Sequence, residues 1–69
     1  MQEFELEGHE YVELCDLLKL TGLAGSGGMA KIMIADGVVT VDGEVELRKR
    51  RKVRSGQVVE CEGETITVV

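Results

Sequence analysis

The sequence predicts an α+β fold: two packed short helices against a small antiparallel sheet, with an additional short N-terminal strand. Apolar residues recur at helical spacing in the first half of the chain and alternate with polar residues in the second half. Nine glycines and no proline indicate many tight turns between short elements. A chain of 69 residues supports one small core, and a core of this size buries only about 60% of the unfolded chain's surface. Residues 1–69 are therefore expected to form a single domain.

The period of the apolar residues changes within the first third of the chain. Between residues 2 and 7, Phe4 and Leu6 alternate with glutamates, which is typical of a short half-buried strand. From Tyr11 to Leu20 the apolar residues fall three and four positions apart, which predicts an amphipathic first helix. The residues of its apolar stripe are Tyr11, Leu14, Cys15, Leu17 and Leu18.

A second helix is predicted directly after a short glycine-containing connection. Ser26 has the side chain of a helix N-cap, and the helix is expected to run from about Gly27 to Ala35. Its apolar face consists of Ala30, Met33 and Ile34. Because the connection is short, the apolar faces of the two helices are expected to pack against each other.

The last third of the chain is predicted to form antiparallel strands. Val38–Val41 leads into Asp42-Gly43, which is one of the strongest short hairpin signals. A two-residue turn places Val41 opposite Glu44, whereas a three-residue loop places it opposite Val45, and the sequence leaves both registers open. The residues that alternate inward farther along the chain are Val59, Cys61, Ile66 and Val68.

The charges are distributed very unevenly. The formal net charge is −5, yet six of the seven residues from 48 to 54, called the basic segment below, are cationic. Adjacent cations repel one another, and a screened field extends only about 8–10 Å at physiological salt. The segment therefore predicts a local binding site for a polyanion, despite the thirteen acids elsewhere. Its cations are Arg48, Lys49, Arg50, Arg51, Lys52 and Arg54.

An extended conformation would align these cations. If residues 45–54 form a strand, Val45, Leu47 and Val53 face inward. The cations that then project together outward are Arg48, Arg50, Lys52 and Arg54. Their repeat of about 6.6 Å is close to the spacing of successive phosphates. The alternative is a solvated loop neutralised by the domain's own acids. Phosphate binding thus requires that the side chains gather on one side and are not locked into ion pairs with carboxylates of the same molecule.

The start of the second helix is a further candidate for phosphate contact. Free N–H groups and the helix dipole meet at Ser26, Gly27 and Gly28, and glycine allows a backbone to approach closely. Lys31, one turn farther on, would extend such a site. The alternative is that these residues form only a flexible cap.

No residue pattern indicates catalysis, a cofactor or a bound metal. His9 is the only histidine, and its spacing from Cys15 and Cys61 is not that of a zinc site. We expect the two cysteines to be reduced and packed in the interior. The acidic N-terminus indicates no secretory signal, and no apolar run approaches the roughly 20 residues of a membrane span. A cytoplasmic, monomeric, non-enzymatic protein without a small-molecule substrate is expected.

A longer pattern combines both helices and the hairpin. It consists of the spacings Leu14-x-x-Leu17-Leu18, Gly22-Leu23-Ala24-x-Ser26 and Ala30-Lys31-x-x-Ile34-x-x-Gly37-x-Val39-x-Val41-Asp42-Gly43. This pattern resembles the RNA-binding domain named after ribosomal protein S4. The core of that domain, called the αL motif, is two packed helices followed by a hairpin, here at about residues 11–43. The run from Val53 to Cys61 is similar to the family's closing turn and strand.

The resemblance implies a small bacterial protein that binds structured RNA, such as ribosomal RNA. Lys31 matches a basic position of the family, whereas Glu13, Gly27 and Asp42 stand where members commonly have Arg, Arg and Asn. We therefore expect the RNA surface to have moved toward the basic segment, with the helix start as a secondary contact. With only two aromatic residues, phosphate and shape recognition is expected to dominate over base stacking.

Two alternatives concern the acidic first third of the chain. Its carboxylates could contact the basic segment in the free protein and weaken non-specific binding. The chain could also be a small adaptor that binds another protein through an acidic first helix.

Overall fold

The computed structural model describes residues 2–69 and has an α+β architecture. Five strands form one sheet in the order β1-β7-β6-β3-β4, and β2 and β5 form a separate two-stranded ribbon. The elements in chain order are β1 Gln2–Phe4, β2 Val12–Glu13, α1 Leu14–Leu20, α2 Gly27–Ala35, β3 Val39–Val41, β4 Glu44–Val45, β5 Lys52–Val53, β6 Val58–Cys61 and β7 Glu64–Val68.

The predicted α+β class is confirmed, but the sheet is mixed and not purely antiparallel. The N-terminal strand β1 runs parallel to the C-terminal strand β7, with Gln2 opposite Ile66 and Phe4 opposite Val68. All other strand pairs are antiparallel. A parallel pair needs a long crossover between its strands, and here the chain between β1 and β7 contains both helices and all other strands.

The hydrophobic core connects both helices to the sheet. Apolar residues that alternate on β6 and β7 meet those at helical spacing on α1 and α2 in one core. The two helices contact each other there, so their predicted packing is confirmed. The completely buried residues are Leu14, Leu17, Leu18, Ala30, Ile34, Val39, Val53, Val59, Ile66 and Val68. Cys15 and Cys61 are buried free thiols, as predicted. Burial, together with the nearby charge of Glu62, raises the pKa of the Cys61 thiol.

The first helix is shorter than the sequence indicates. It begins at Leu14, and the prediction of a start at Tyr11 was wrong, because Val12 pairs with Val53 and Glu13 with Lys52 in the β2–β5 ribbon. Asp16 is consequently the only carboxylate on α1. The acidic first helix that the adaptor alternative invoked is therefore absent. Within residues 2–69, neither helix has the length and apolar character needed to span a membrane.

The second helix and the hairpin turns agree closely with the sequence. Helix α2 begins at Gly27, and the Ser26 hydroxyl accepts a hydrogen bond of 3.1 Å from the Met29 amide. Asp42 and Gly43 have φ angles of 51° and 85°, which are typical of a type I′ two-residue turn. Val41 therefore lies opposite Glu44, and the open question of the register is answered in favour of the two-residue turn.

Candidate nucleic-acid interface

The basic segment is a turn followed by a short strand. The prediction of a continuous strand over residues 45–54 was wrong: β4 ends at Val45, and β5 begins only at Lys52. The Arg51 amide donates to the Arg48 carbonyl at 3.2 Å, which closes a turn between them. Val45 and Leu47 are about 60% exposed, whereas Val53 is completely buried. The reason is that β5 pairs with β2 and does not continue the five-stranded sheet.

The main chain of the basic segment caps helix α1. The Leu14 amide donates to the Arg51 carbonyl at 2.9 Å, and the Cys15 amide donates to the Lys49 carbonyl at 3.0 Å. Amides in the first turn of a helix have no partner within the helix, and the N-cap residue Glu13 makes no side-chain cap bond here. The segment thus supplies the missing acceptors, and its backbone is fixed against α1.

The Arg51 side chain also fixes the segment in place. Its Nε lies 3.0 Å from Oε1 of Glu46, and its Nη1 donates to the Lys52 carbonyl and to Oε1 of Gln57 at 3.4 Å. The Arg51 side chain is only 24% exposed, in contrast to 75% for Arg48. Arg51 therefore holds the segment in place and offers little of its guanidinium to a ligand.

Gln57 and Asp42 connect this network to the β3–β4 turn. Gln57 Oε1 accepts from the Arg54 amide at 2.8 Å, and Gln57 Nε2 donates to Asp42 Oδ2 at 3.3 Å. Asp42 Oδ1 also accepts from the Val58 amide at 2.9 Å. These structural roles were not predicted, because no periodic pattern in a sequence marks a hydrogen bond between residues fifteen or sixteen positions apart.

Three of the six cations form ion pairs with carboxylates of the same molecule. Glu46 receives a two-point contact from Arg48 at 3.0 and 3.1 Å and also contacts Arg51. The hydrogen bond from Arg48 is the largest cause that lowers the pKa of Glu46 to about 2. Arg50 lies 3.4 Å from Glu13. Glu13 belongs to the acidic first third, so the predicted contact of that region with the basic segment occurs at this point.

The arginine side chains of two of these pairs are open to solvent. Arg48 and Arg50 are 75% and 76% exposed, whereas their partners Glu46 and Glu13 are 13% and 26% exposed. Because each guanidinium remains solvated, we expect each pair to contribute only roughly 0–1 kcal/mol and to exchange with an external anion. Six cations against two carboxylates leave an excess of four positive charges. The requirement that the cations be free of internal carboxylates is thus met only in part, and the surface remains strongly positive.

Two grooves bring the predicted cations together. The first has a volume of about 460 Å³ and a wall formed only by cations, namely Arg48, Arg50, Arg51 and Lys52. The second, of about 390 Å³, lies between α1, the start of α2 and the basic segment. Its lining consists of Glu13, Cys15, Asp16, Lys19, Gly27, Lys31, Lys49 and Arg50. The helix start is therefore continuous with the basic segment through Gly27 and Lys31, whereas Ser26 and Gly28 lie outside the groove lining.

Lys19 and Tyr11 are two further residues that the sequence analysis did not assign to the site. Lys19 lines the second groove, and its Cδ is 4.0 Å from the position that a Cβ on Gly27 would occupy. The Tyr11 ring has the Lys52 ammonium 5.0 Å and the Arg54 guanidinium carbon 5.6 Å from its centroid. These distances are within the range of cation–π interactions. Tyr11 directly precedes β2 and Arg54 directly follows β5, so the antiparallel pairing of these strands brings the two residues side by side. A sequence signal for this ribbon would have identified Tyr11 as part of the site.

The part of the chain that the structure describes contains no cluster of side chains suited to bind a metal ion. Over residues 2–69, no group of three or more histidine, cysteine or acidic side chains is arranged to hold an ion. The chemistry that the surface supports is instead the binding of anions by guanidinium and ammonium groups.

Comparison with known proteins identifies relatives that cover the whole chain. The S4 domain profile matches residues 4–69. YbcJ of Escherichia coli (strain K12) is 55% identical over 69 residues, which are 100% of this chain and 99% of that protein. The solution structure of YbcJ, described as revealing an αL motif involved in RNA binding, superposes with a TM-score of 0.78 and covers 100% of this chain and 87% of that one.

Two more distant relatives have ribosomal descriptions. RlbA of Bacillus subtilis (strain 168), a probable ribosome maturation protein, is 43% identical over 54 residues, or 78% of this chain and 76% of that protein. The crystal structure of the 30S ribosomal protein S4e from Thermoplasma acidophilum is 30% identical, with a TM-score of 0.63. It aligns with 83% of this chain, which corresponds to 30% of that longer chain.

Proposed function

Because the chain belongs to the S4 domain family, we propose that it is a non-enzymatic module that binds structured RNA, with ribosomal RNA as the favoured class. The RNA-binding description of the YbcJ αL motif supports RNA as the ligand. The ribosomal descriptions of RlbA and S4e support ribosomal RNA. The proposed role is that of a monomer in the bacterial cytoplasm, and it requires no cofactor, metal or small-molecule substrate.

The observation that carries this proposal is a cationic surface on a fixed backbone. The carbonyls of Lys49 and Arg51 are bonded to the first turn of α1, while the side chains of Lys49, Arg50, Lys52 and Arg54 are exposed. A surface that is already ordered loses little entropy when it meets a phosphate backbone. Charge-assisted hydrogen bonds to phosphate then provide the affinity.

Different cations have different roles in this proposal. Lys49, Lys52 and Arg54 contact phosphates directly, and Arg48 and Arg50 do so after they exchange Glu46 and Glu13 for phosphate oxygens. Lys31 and the close approach at Gly27 extend the contact along the second groove, with Ser26 and Gly28 as a secondary part of the helix start. Arg51 acts indirectly, since its guanidinium is engaged by Glu46 and Gln57.

The salt dependence of binding to a structured RNA hairpin tests this role. If four or five phosphates are neutralised, the logarithm of the affinity falls with the logarithm of the salt concentration at a slope of roughly −3 to −4.5. In Lys49→Gln the slope becomes shallower by roughly 0.7–0.9, because one phosphate contact is lost.

The matched control is Gln2→Glu, which changes the net charge by the same amount on the exposed strand β1. It is expected to leave the slope unchanged. A flat salt response of the wild-type protein, or an equal change in both variants, would contradict phosphate binding by the basic segment. Crosslinking in cells, followed by sequencing of the attached RNA, tests the ribosomal assignment separately.

A further inference from the structure

Both aromatic residues of the chain line one groove. The sequence contains a single phenylalanine, a single tyrosine and no tryptophan, and Phe4 and Tyr11 both line a groove of about 350 Å³. The other residues that line it are Glu5, Leu6, Glu7, His9, Val12 and Leu20. Two aromatic residues are few for base stacking when they are dispersed over a surface, but here both line the same groove.

Tyr11 connects this groove to the basic segment. Its ring forms part of the groove wall and also lies within 5.0 Å of the Lys52 ammonium and 5.6 Å of the Arg54 guanidinium carbon. A groove lined by aromatic, aliphatic and acidic side chains therefore adjoins two exposed cations of the proposed RNA surface. A nucleotide likewise has a flat base, which can stack on an aromatic ring, next to an anionic phosphate, which can bind a cation.

We propose that the groove binds one unpaired nucleobase of the RNA, with the adjoining phosphate on Lys52 and Arg54. This inference rests on the proposed RNA-binding function and adds a specific nucleotide contact to it. Unpaired bases in RNA are commonly bound by stacking on aromatic side chains. The volume of about 350 Å³ is within the range of roughly 300–1,000 Å³ that is usual for small-ligand sites.

The charges of the groove determine the orientation and the choice of base. Glu5 and Glu7 line the groove and repel phosphate, so the phosphate lies at the Tyr11 edge, where the cations are. Carboxylates accept hydrogen bonds from exocyclic amino groups of bases. The site therefore favours adenine, cytosine or guanine over uracil, which has no amino group.

The single tyrosine makes the site directly observable. A sample with labelled tyrosine gives one ring spin system in NMR spectra, and that system belongs to Tyr11. The probes are an RNA hairpin with one unpaired adenosine in its stem and the same hairpin with an abasic residue at that position. Stacking shifts the Tyr11 ring resonances with adenosine and not with the abasic RNA, and the hairpin with adenosine binds roughly 5- to 150-fold more tightly.

Two variants at Tyr11 test whether its aromatic ring causes the preference for adenosine. Tyr11→Leu removes the preference for adenosine over the abasic RNA, whereas Tyr11→Phe retains it because the ring remains.

Equal affinities and unmoved ring resonances overturn the nucleobase site and leave RNA binding by the basic segment intact. If neither hairpin binds, both proposals fail. Ring shifts that follow the protein concentration without RNA assign the groove to a second copy of the chain and overturn the inference.

Discussion

The β6–β7 hairpin and the basic segment are held in place by different forces. In the hairpin, strict alternation places Val59, Cys61, Ile66 and Val68 on the face of the sheet that is buried in the core. In the basic segment only Val53 is buried, and carbonyl bonds to α1 and the contacts of Arg51 fix the backbone. Apolar burial thus builds the scaffold, whereas polar tertiary contacts position the candidate site.

Deletion of a core side chain gives the largest expected effect and separates the two regions most clearly. Ile66→Ala removes a completely buried side chain from β7 and is expected to lower the free energy of unfolding by roughly 2–5 kcal/mol. Leu47→Ala, at a position 61% exposed beside the basic segment, is expected to change it by less than about 0.5 kcal/mol. Urea unfolding of both variants measures the difference. A comparable loss in Leu47→Ala would show that this region is also held by apolar packing.

The same difference explains what could be predicted from the sequence. Periodicity encodes which side chains are buried, so α2, the inward residues of β6 and β7 and the family resemblance are confirmed. It failed at Tyr11, which precedes β2 of the β2–β5 ribbon, and at Val45 and Leu47, which are exposed where the chain leaves β4 before it reaches β5. That ribbon joins residues about forty positions apart, and its two-residue strands are too short to show a period.

The charge pattern predicted the basic segment but not the internal partners of its cations. Six cations in seven residues are evident in the sequence. The sharing of Glu46 between Arg48 and Arg51, and the contact of Arg50 with Glu13, depend on tertiary structure. Lys31, predicted to extend the site at the start of α2, lines one groove together with Lys49 and Arg50, and its contact with RNA stays a prediction.

An intermediate effect is expected when the polar contacts of the basic segment are removed. Arg51→Met keeps the apolar stem but loses the bonds to Glu46, Gln57 and the Lys52 carbonyl. The free energy of unfolding is expected to fall by roughly 1–2 kcal/mol, and the amides of α1 that bond to the segment should exchange hydrogen faster. Arg50→Met, whose side chain is 76% exposed, is the matched control and should cost less than about 0.5 kcal/mol. Equal losses in the two variants would contradict a positioning role for Arg51.

The smallest expected effect is the pH dependence that Glu46 gives to stability. Its pKa is lowered from 4.5 to about 2 in the folded protein, chiefly by the hydrogen bond from Arg48. A carboxyl group with a lowered pKa stabilises the fold while it is charged. Its contribution is therefore complete above pH 4.5 and is lost as the pH falls toward 2. The effect is small because the Arg48 side chain is 75% exposed, so that solvent screens its pair with Glu46.

Thermal unfolding of the wild type and Glu46→Gln between about pH 2 and pH 6 measures this contribution. The wild type should be the more stable protein at the upper end of the range, and the two curves should converge as the pH falls. Because Arg48 supplies the largest cause of the shift, the same comparison in an Arg48→Met background should lose most of its pH dependence. Curves that stay parallel down to the lowest pH would mean that Glu46 is not held in its charged form by Arg48, and that polar contacts on this side of the basic segment contribute less than the geometry indicates.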